Sequence, residues 1–328
     1  MSDDRPIIIA TRGSALALAQ SNMILAQCRA AFPKLLFELK IIKTTGDKMQ
    51  TASLAQENKT LPKGLFTKEL EVALLNQDAD LAIHSLKDLP TELPPGLKLG
   101  AVGKRENVRD VLIYRDAQFV KAHPKLRGYQ PHLKLTTLPD GAVVATSSTR
   151  RKAQLLVARP NLTIVDIRGN VATRMQKLMD KPELDATVLA LAGLTRLNFK
   201  ITPAGKILGD AVPDGLLAIV LDVEVMLPCV GQGAIGIEIR AGDERIAKIC
   251  EHLNHYDTMQ AVTAERAFLA AMGGGCQSPV GAYAEVAGKQ LRLRAVSFMH
   301  DTVRRAEAGR PVKEAKELGE QIATTLKG

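Results

Sequence analysis

Short apolar runs, each followed by a stretch of helical periodicity, recur through the first two thirds of this chain of 328 residues. Pro6-Ile-Ile-Ile-Ala10 reads as a buried strand, and residues 14–31 read as a helix with Ser14 at its N-cap. Residues 37–43 form a second strand, 66–76 a helix and 80–84 a third strand. Such alternation specifies a mainly parallel sheet with helices on both faces.

The theme then returns. Residues 142–150 and the helix after them echo 7–12 and its helix, and residues 183–190 echo 78–84. The similarity is weak and chance is the alternative; a true repeat implies two similar α/β lobes with a cleft between them. Strand C-termini and helix N-termini face such a cleft, and ligands settle there in open α/β sheets. Residues 116–138 and 204–227 lack periodicity and read as irregular surface connections. After a strand at 231–240 the pattern changes. Helices at 244–253 and 258–272 precede Gly273-Gly-Gly275, then strands at 280–286, 290–298 and 302–308, and a last helix at 312–326. This third unit reads as α+β. The expected division is 1–105 with 232–242, then 106–231, then 243–328.

Composition narrows the partners. Lys and Arg number 44 against 35 Asp and Glu, a net charge of +9. That excess favours an anionic partner. Aromatic residues make up only 3% and Trp is absent, which argues against stacking platforms for single-stranded nucleic acid. The start of the chain has no basic, then apolar, signal pattern, and no apolar run reaches the roughly 20 residues of a membrane helix. Four cysteines, none in a Cys-x-x-Cys pair, and scattered His residues indicate no metal site. A cytoplasmic protein with reduced thiols is expected.

The chemistry gathers at the strand-to-helix turns. Arg12 and Ser14, Ser85 to Asp88, Thr146, Ser147, Ser148, Arg150 and Arg151, and Arg168 to Asn170 all fall there. Free backbone N–H groups and a positive helix end favour anions, and added Arg and Ser favour carboxylates or phosphates. An ordinary cap with a surface Arg explains any one turn; four together favour an anion cleft. Asp88, next to Lys87, reads either as a helix N-cap or surface pair, or as a carboxylate that stabilises a cation and relays protons. Cys276 sits in Gly273-Gly-Gly-Cys-Gln-Ser-Pro279, and reads either as a small buried residue in a tight turn or as a thiol that a loop carries into a cleft. Cys28 and Cys250, in helices, read as core thiols. Gly231-Gln-Gly233 matches no phosphate loop.

Eight stretches in series resemble porphobilinogen deaminase. They are Ala10-Thr-Arg-Gly-Ser-Ala-Leu-Ala-Leu-Ala-Gln20, Lys63-Gly-Leu-Phe-Thr-Lys-Glu-Leu-Glu71, Ala82-Ile-His-Ser-Leu-Lys-Asp-Leu-Pro90, Thr146-Ser-Ser-Thr-Arg-Arg151, Arg168-Gly-Asn-Val171, Val230-Gly-Gln-Gly-Ala234, Thr263-Ala-Glu-Arg266 and Gly274-Gly-Cys-Gln-Ser-Pro279. The resemblance spans nearly the whole chain. It implies an α/β fold of two periplasmic-binding-protein-like (type II) lobes plus a small α+β C-terminal domain. It implies a transferase of porphyrin, tetrapyrrole and heme biosynthesis that joins four porphobilinogen molecules into hydroxymethylbilane, releasing ammonia. The primer is a dipyrromethane cofactor, thioether-linked to Cys276.

By the same resemblance Asp88 is the catalytic residue. Arg150, Arg151, Lys87, Ser147, Ser148, Thr146, Arg168 and Ser14 hold the cofactor. Arg12, Arg174, Gln20, Arg196, Lys63 and Lys59 meet the substrate. No metal and no nucleic-acid or membrane partner is implied, and a monomer is expected. The Glu57-Asn-Lys-Thr-Leu-Pro-Lys63 approach departs from the family's Gly-rich one, which leaves lid behaviour open. Two other classes compete. A non-enzymatic anion-binding module with such lobes accounts for the Arg-bearing turns but not for Cys276 or the third unit. A nucleic-acid-binding protein fits the charge but not the scarcity of aromatics.

Overall fold

The computed structural model describes residues 5–46, 66–275, 277–299 and 302–328. The first elements are β1 (Ile7–Arg12), α1 (Ala15–Ala31), β2 (Phe37–Ile42), α2 (Lys68–Leu75), β3 (Leu81–Ser85) and β4 (Leu97–Val102). Next come β5 (Asp110–Arg115), β6 (Val143–Ala145), α3 (Thr149–Ala158), β7 (Thr163–Val165), α4 (Val171–Asp180), β8 (Ala186–Ala190) and α5 (Leu191–Arg196). A small pair, β9 (Lys200–Ile201) and β10 (Ile207–Leu208), precedes β11 (Leu216–Val220) and β12 (Ile235–Arg240). The chain finishes with α6 (Glu244–Leu253), α7 (Tyr256–Ala271), β13 (Val280–Ala287), β14 (Gln290–Ser297), β15 (Arg304–Pro311) and α8 (Ala315–Lys327).

The helices form where an apolar stripe repeats every three or four residues. In α1 the buried face is Gln20, Ser21, Ile24, Leu25 and Cys28, and the Ser14 hydroxyl accepts the Ala17 N–H at the N-cap. In α6 it is Ile246, Ile249, Cys250 and Leu253, with Asp243 as the cap. In α8 it is Ala315, Leu318, Gly319, Ile322, Ala323 and Leu326. Gly319 is required by close packing: a Cβ there would lie 2.3 Å from the Ala264 carbonyl oxygen of α7.

Two five-stranded sheets share one topology. The first runs β2-β1-β3-β12-β4 and the second, read in the same sense, β7-β6-β8-β5-β11. In each, the first three strands are parallel. In each, the fourth is antiparallel to its neighbours and comes from the chain just after it crosses between the lobes. The weak sequence echo is therefore a real repeat, but the sheets are mixed rather than mainly parallel. Crossover strands β5 and β12 enter against the direction of the others, which alternation alone does not reveal. The stretch 204–227, read as irregular, holds β11, the edge strand beside β5. Residues 116–138 do lack strands and long helices; they hold short helical turns at Phe119–Ala122 and Leu135–Thr137.

Each lobe has a core on both faces of its sheet. The sequence division assigned α6 to the third unit, yet its apolar face packs into the first lobe's core with Ile7, Ile9 and Ile237. The third unit proper is the antiparallel sheet β13-β14-β15 covered by α7 and α8. It grips both crossings between the lobes through one carboxylate. Glu265 of α7 takes a two-pronged ion pair from Arg105, at 2.6 and 2.9 Å, and accepts the Gly231 and Ala284 N–H groups. Its wholly buried charge is thus fully partnered, as burial requires.

Candidate functional site

Leu86 is buried in the core, and directly after β3 the chain makes a short helical turn, Leu86–Asp88. Lys87 is half-buried and Asp88 exposed. Arg266 of α7 fixes the next stretch by donating to the carbonyls of Leu89, Pro90 and Thr91. Burial pushes the Lys87 ammonium down from its usual range, opposed by Asp88 and reinforced by Arg151. It thereby senses both the carboxylate beside it and the second lobe.

In that lobe Ser148 caps α3, accepting the Arg151 N–H. Arg150 and Arg151 then run inward, at 3% and 6% exposure, onto the same carboxylate. Arg150 pairs with Asp110 at 2.8 Å and Arg151 at 2.7 Å; their other Nη atoms donate to the Leu227 and Val188 carbonyls. Burial alone would raise the Asp110 carboxyl, but the two guanidiniums hold it well below the usual carboxylate range. Each arginine keeps a buried Nε without a hydrogen-bond partner.

Around this pair stand the other residues singled out from the sequence. Arg174 of α4 donates to the Gly169 carbonyl at 2.7 Å and acts electrostatically on Arg151 and Asp88; burial pushes it down to about 10. Arg168 is exposed, and Thr146 is buried with its hydroxyl on the Ser148 N–H. The Ser147 hydroxyl clasps the Ile167 backbone, both donating and accepting at 3.0 Å. Arg196 lies apart, near the hinge, donating to the Gly233 carbonyl at 2.6 Å; burial pushes it down to about 10 against the pull of Glu106. In the first lobe Arg12 lies over the Phe66 ring at 4.2 Å, and Gln20 is locked to the Ser85 hydroxyl at 2.9 Å. Lys59, Lys63 and Cys276 fall outside the described residues.

The flanks of Cys276 are described, and they meet this group. Gly275 and Ser278 line a small cavity with Lys87, Cys229 and Arg266. The Thr149 hydroxyl, at the first turn of α3, donates to the Gln277 carbonyl at 2.5 Å. The structure thus brings together Lys87, Asp88, Arg150, Arg151, Arg174 and the residues flanking Cys276. It commits Ser14, Ser147 and Ser148 mainly to the backbone.

Sequence reasoning missed Asp110, Thr149 and Cys229. Asp110 had a signal, a lone acid opening the apolar run Asp110-Val-Leu-Ile-Tyr114. Cys229 had none: it is half-buried, and burial raises its thiol against the pull of Arg150 and Lys87. Cys28 and Cys250 are core thiols as read, pushed up to about 11 and about 12 by burial. Among the described residues no cluster suited to a metal occurs, and no helix is long and apolar enough to cross a membrane.

Comparison with known proteins finds two family descriptions. "Porphobilinogen deaminase, dipyromethane cofactor binding domain" matches residues 7–248, and "Porphobilinogen deaminase, C-terminal domain" matches 259–328. A porphobilinogen deaminase of Desulforudis audaxviator is 43% identical over 98% of this chain and 94% of that relative. One of Moorella thermoacetica is 44% identical over 98% and 92%, and one of Thermus thermophilus 41% over 97% and 94%. Among solved structures the likeness is distant. The benzoate-bound BenM effector domain gives a TM-score of 0.39 at 16% identity, covering 76% of this chain and 90% of that one. A Bacillus subtilis transporter binding protein, ytmK, gives 0.38 at 11%, covering 76% and 90%.

Proposed function

Because the chain belongs to the porphobilinogen deaminase family, whose transferases use a dipyrromethane cofactor, we propose that it joins four porphobilinogen molecules head to tail into hydroxymethylbilane. Ammonia leaves at each addition, and the primer is attached through Cys276. One observation carries the reading. Gly275 and Ser278, on either side of Cys276, line one small cavity with Lys87 of the first lobe, and Gln277 accepts a hydrogen bond from Thr149 in the first turn of the second lobe's arginine helix.

The donors fit a polycarboxylate. Arg150 and Arg151 each hold a buried, unpartnered Nε, Arg168 is exposed, and Arg174 has one guanidinium nitrogen tied down. With Lys87, Thr146, Ser147, Ser148 and Ser14 nearby on the strand-end turns, these residues would hold the dipyrromethane. When bound, the dipyrromethane supplies the pyrrole carbon at which the first new bond forms.

Arg12, Gln20 and Arg196, with Arg174 and the Lys59–Lys63 stretch, are assigned to the acetate and propionate arms of incoming porphobilinogen. Asp88 is the catalytic residue. Its exposed carboxylate, beside Lys87 and within the field of Arg174, holds the proton of a pyrrole N–H. The same charge offsets the cation that develops on the substrate's methylene carbon as ammonia departs. Asp110 keeps Arg150 and Arg151 oriented without being displaced into the cleft.

The reading includes a cytoplasmic monomer without nucleic-acid or membrane partners. Sheet membership supports a division into 1–105 with the β12 stretch, 106–231, and a third unit that begins after α6. Intact-mass spectrometry tests the whole. The purified chain is expected to carry two linked pyrrole units, lost in Cys276→Ser. A bare polypeptide after the apoprotein is supplied with porphobilinogen refutes the reading.

A further inference from the structure

Beneath the turn that carries Lys87 and Asp88 lies a buried titratable group that the proposed reaction leaves unused. His84 of β3, Glu238 of β12 and Glu71 of α2 are 5%, 0% and 8% exposed. His84 Nε2 lies 2.9 Å from Glu238 Oε2. Glu238 Oε1 and Glu71 Oε1 are buried and meet no hydrogen-bond partner. With both carboxylates ionised, Glu71 Oε1 and Glu238 Oε1 would be buried acceptors, with the Thr67 hydroxyl the one donor acting on Glu71, a costly state. A proton on Glu71 turns one acceptor into a donor and removes one of two like charges.

We propose that Glu71 is held protonated against Glu238, and that the Glu71–Glu238–His84 network positions the end of β3, and with it Lys87 and Asp88. His84 and Glu238 tie β3 to β12, and Glu71 comes from α2, which packs against both strands. β3 leads into the turn, β12 returns from the other lobe, and α2 follows the Lys63 segment. Burial pushes the Glu71 carboxyl up and outweighs the Thr67 hydrogen bond; Glu238 and Glu69 add to the rise, and His84 opposes it. The charged groups acting on Glu71 are Glu238 from β12, His84 from β3 and Glu69 from its own helix. At the ends of the packed elements, Arg12 of β1 lies over Phe66, and Arg240 pairs with Asp80 at 2.9 Å. Lys98 of β4 acts on Cys250, across the sheet. The catalytic consequence rests on the functional reading above; the protonation does not.

Infrared difference spectra of the holoenzyme, wild type against Glu71→Gln at neutral pH, are expected to contain the C=O stretch of an un-ionised carboxylic acid. Its absence from the wild type overturns the protonation. Thermal unfolding gives a second reading. A carboxyl raised by the fold stabilises fully below its unfolded pKa and loses that contribution as pH rises through the folded value. The Tm of Glu71→Gln should therefore gain on wild type as pH rises from the usual carboxylate range toward neutral. A constant gap overturns the proposal. For positioning, Glu71→Gln should retain turnover within about twofold. Glu238→Ala, which strips His84 of its acceptor, should lower kcat about tenfold with little change in KM and the cofactor mass intact. Unchanged kcat with a raised KM refutes the positioning role. If Glu238→Ala does not fold, Glu238→Gln carries the same expectation at smaller size.

Discussion

The two lobes share a topology down to single hydrogen bonds, yet carry opposite chemistry. In the first, Asp80 at the foot of β3 accepts the Ile8 N–H of β1 at 2.9 Å; in the second, Asp185 at the foot of β8 accepts the Val143 N–H of β6 at 2.7 Å. Each aspartate also pairs with an arginine, Arg240 and Arg127, at 2.9 Å. Ser14 and Ser148 cap the corresponding helices. The lobes diverge at the cleft. After β3 come Lys87 and Asp88; after β8 the chain enters Leu191-Ala-Gly-Leu194, with no charge before Arg196. β1 ends on a single Arg12, which lies over a ring; after β6 come two arginines bound to a buried acid. Repetition supplied the frame, and substitution at strand ends made one lobe the proposed catalytic half and the other the cation half.

If that division of labour is right, its largest consequence is at Asp88. Asp88→Asn should lower turnover by roughly 100- to 10,000-fold while intact mass still registers the cofactor. Near-normal porphobilinogen consumption would dissolve the contrast between the lobes.

Next is the acid that serves the cation half. Asp110→Ala strands two buried guanidiniums and should destabilise the protein by about 3–5 kcal/mol, read by denaturant unfolding. Because the fold depresses the Asp110 carboxyl, its contribution is present above the unfolded carboxylate pKa and is lost as pH falls through the lower, folded one. Acid unfolding of the wild type should therefore steepen below the usual carboxylate range, and Asp110→Asn should flatten that limb. An unchanged limb would mean that the pair is not held as described.

Arg174 sharpens the comparison at smaller scale. Arg174→Gln removes a largely desolvated charge facing the cleft, and porphobilinogen KM should rise about tenfold or more. A KM equal to wild type would free the cation half from substrate binding. The smallest effect tests the symmetry itself. Ser14→Ala and Ser148→Ala should each cost about 1 kcal/mol of stability, within a few tenths of one another. A loss confined to one would show that the two caps are not equivalent.

Much of this was legible in the chain because it depends on local chemistry. Strand and helix existence, the Ser14 cap, the α6 and α8 stripes and the repeat all follow from periodicity and capping. The charged turns were visible because strand ends must face the cleft. What stayed hidden depends on pairing across distance. Neither the direction of β5 and β12, nor the strand at 216–220, nor the packing of α6 on the first lobe has a local signature. Arg150 and Arg151 look like free ligand arms in sequence, and only their approach to Asp110, some 40 residues away, binds them inside.

The sequence alone determined most of the elements, their repeat, and which residues carry charge to the strand ends; backbone periodicity and side-chain ionisation are properties of short segments. The tertiary structure decided which of those charges are neutralised internally and which face the cleft. Burial and partnership depend on what long-range packing brings within a few ångströms, and no local pattern encodes that distance.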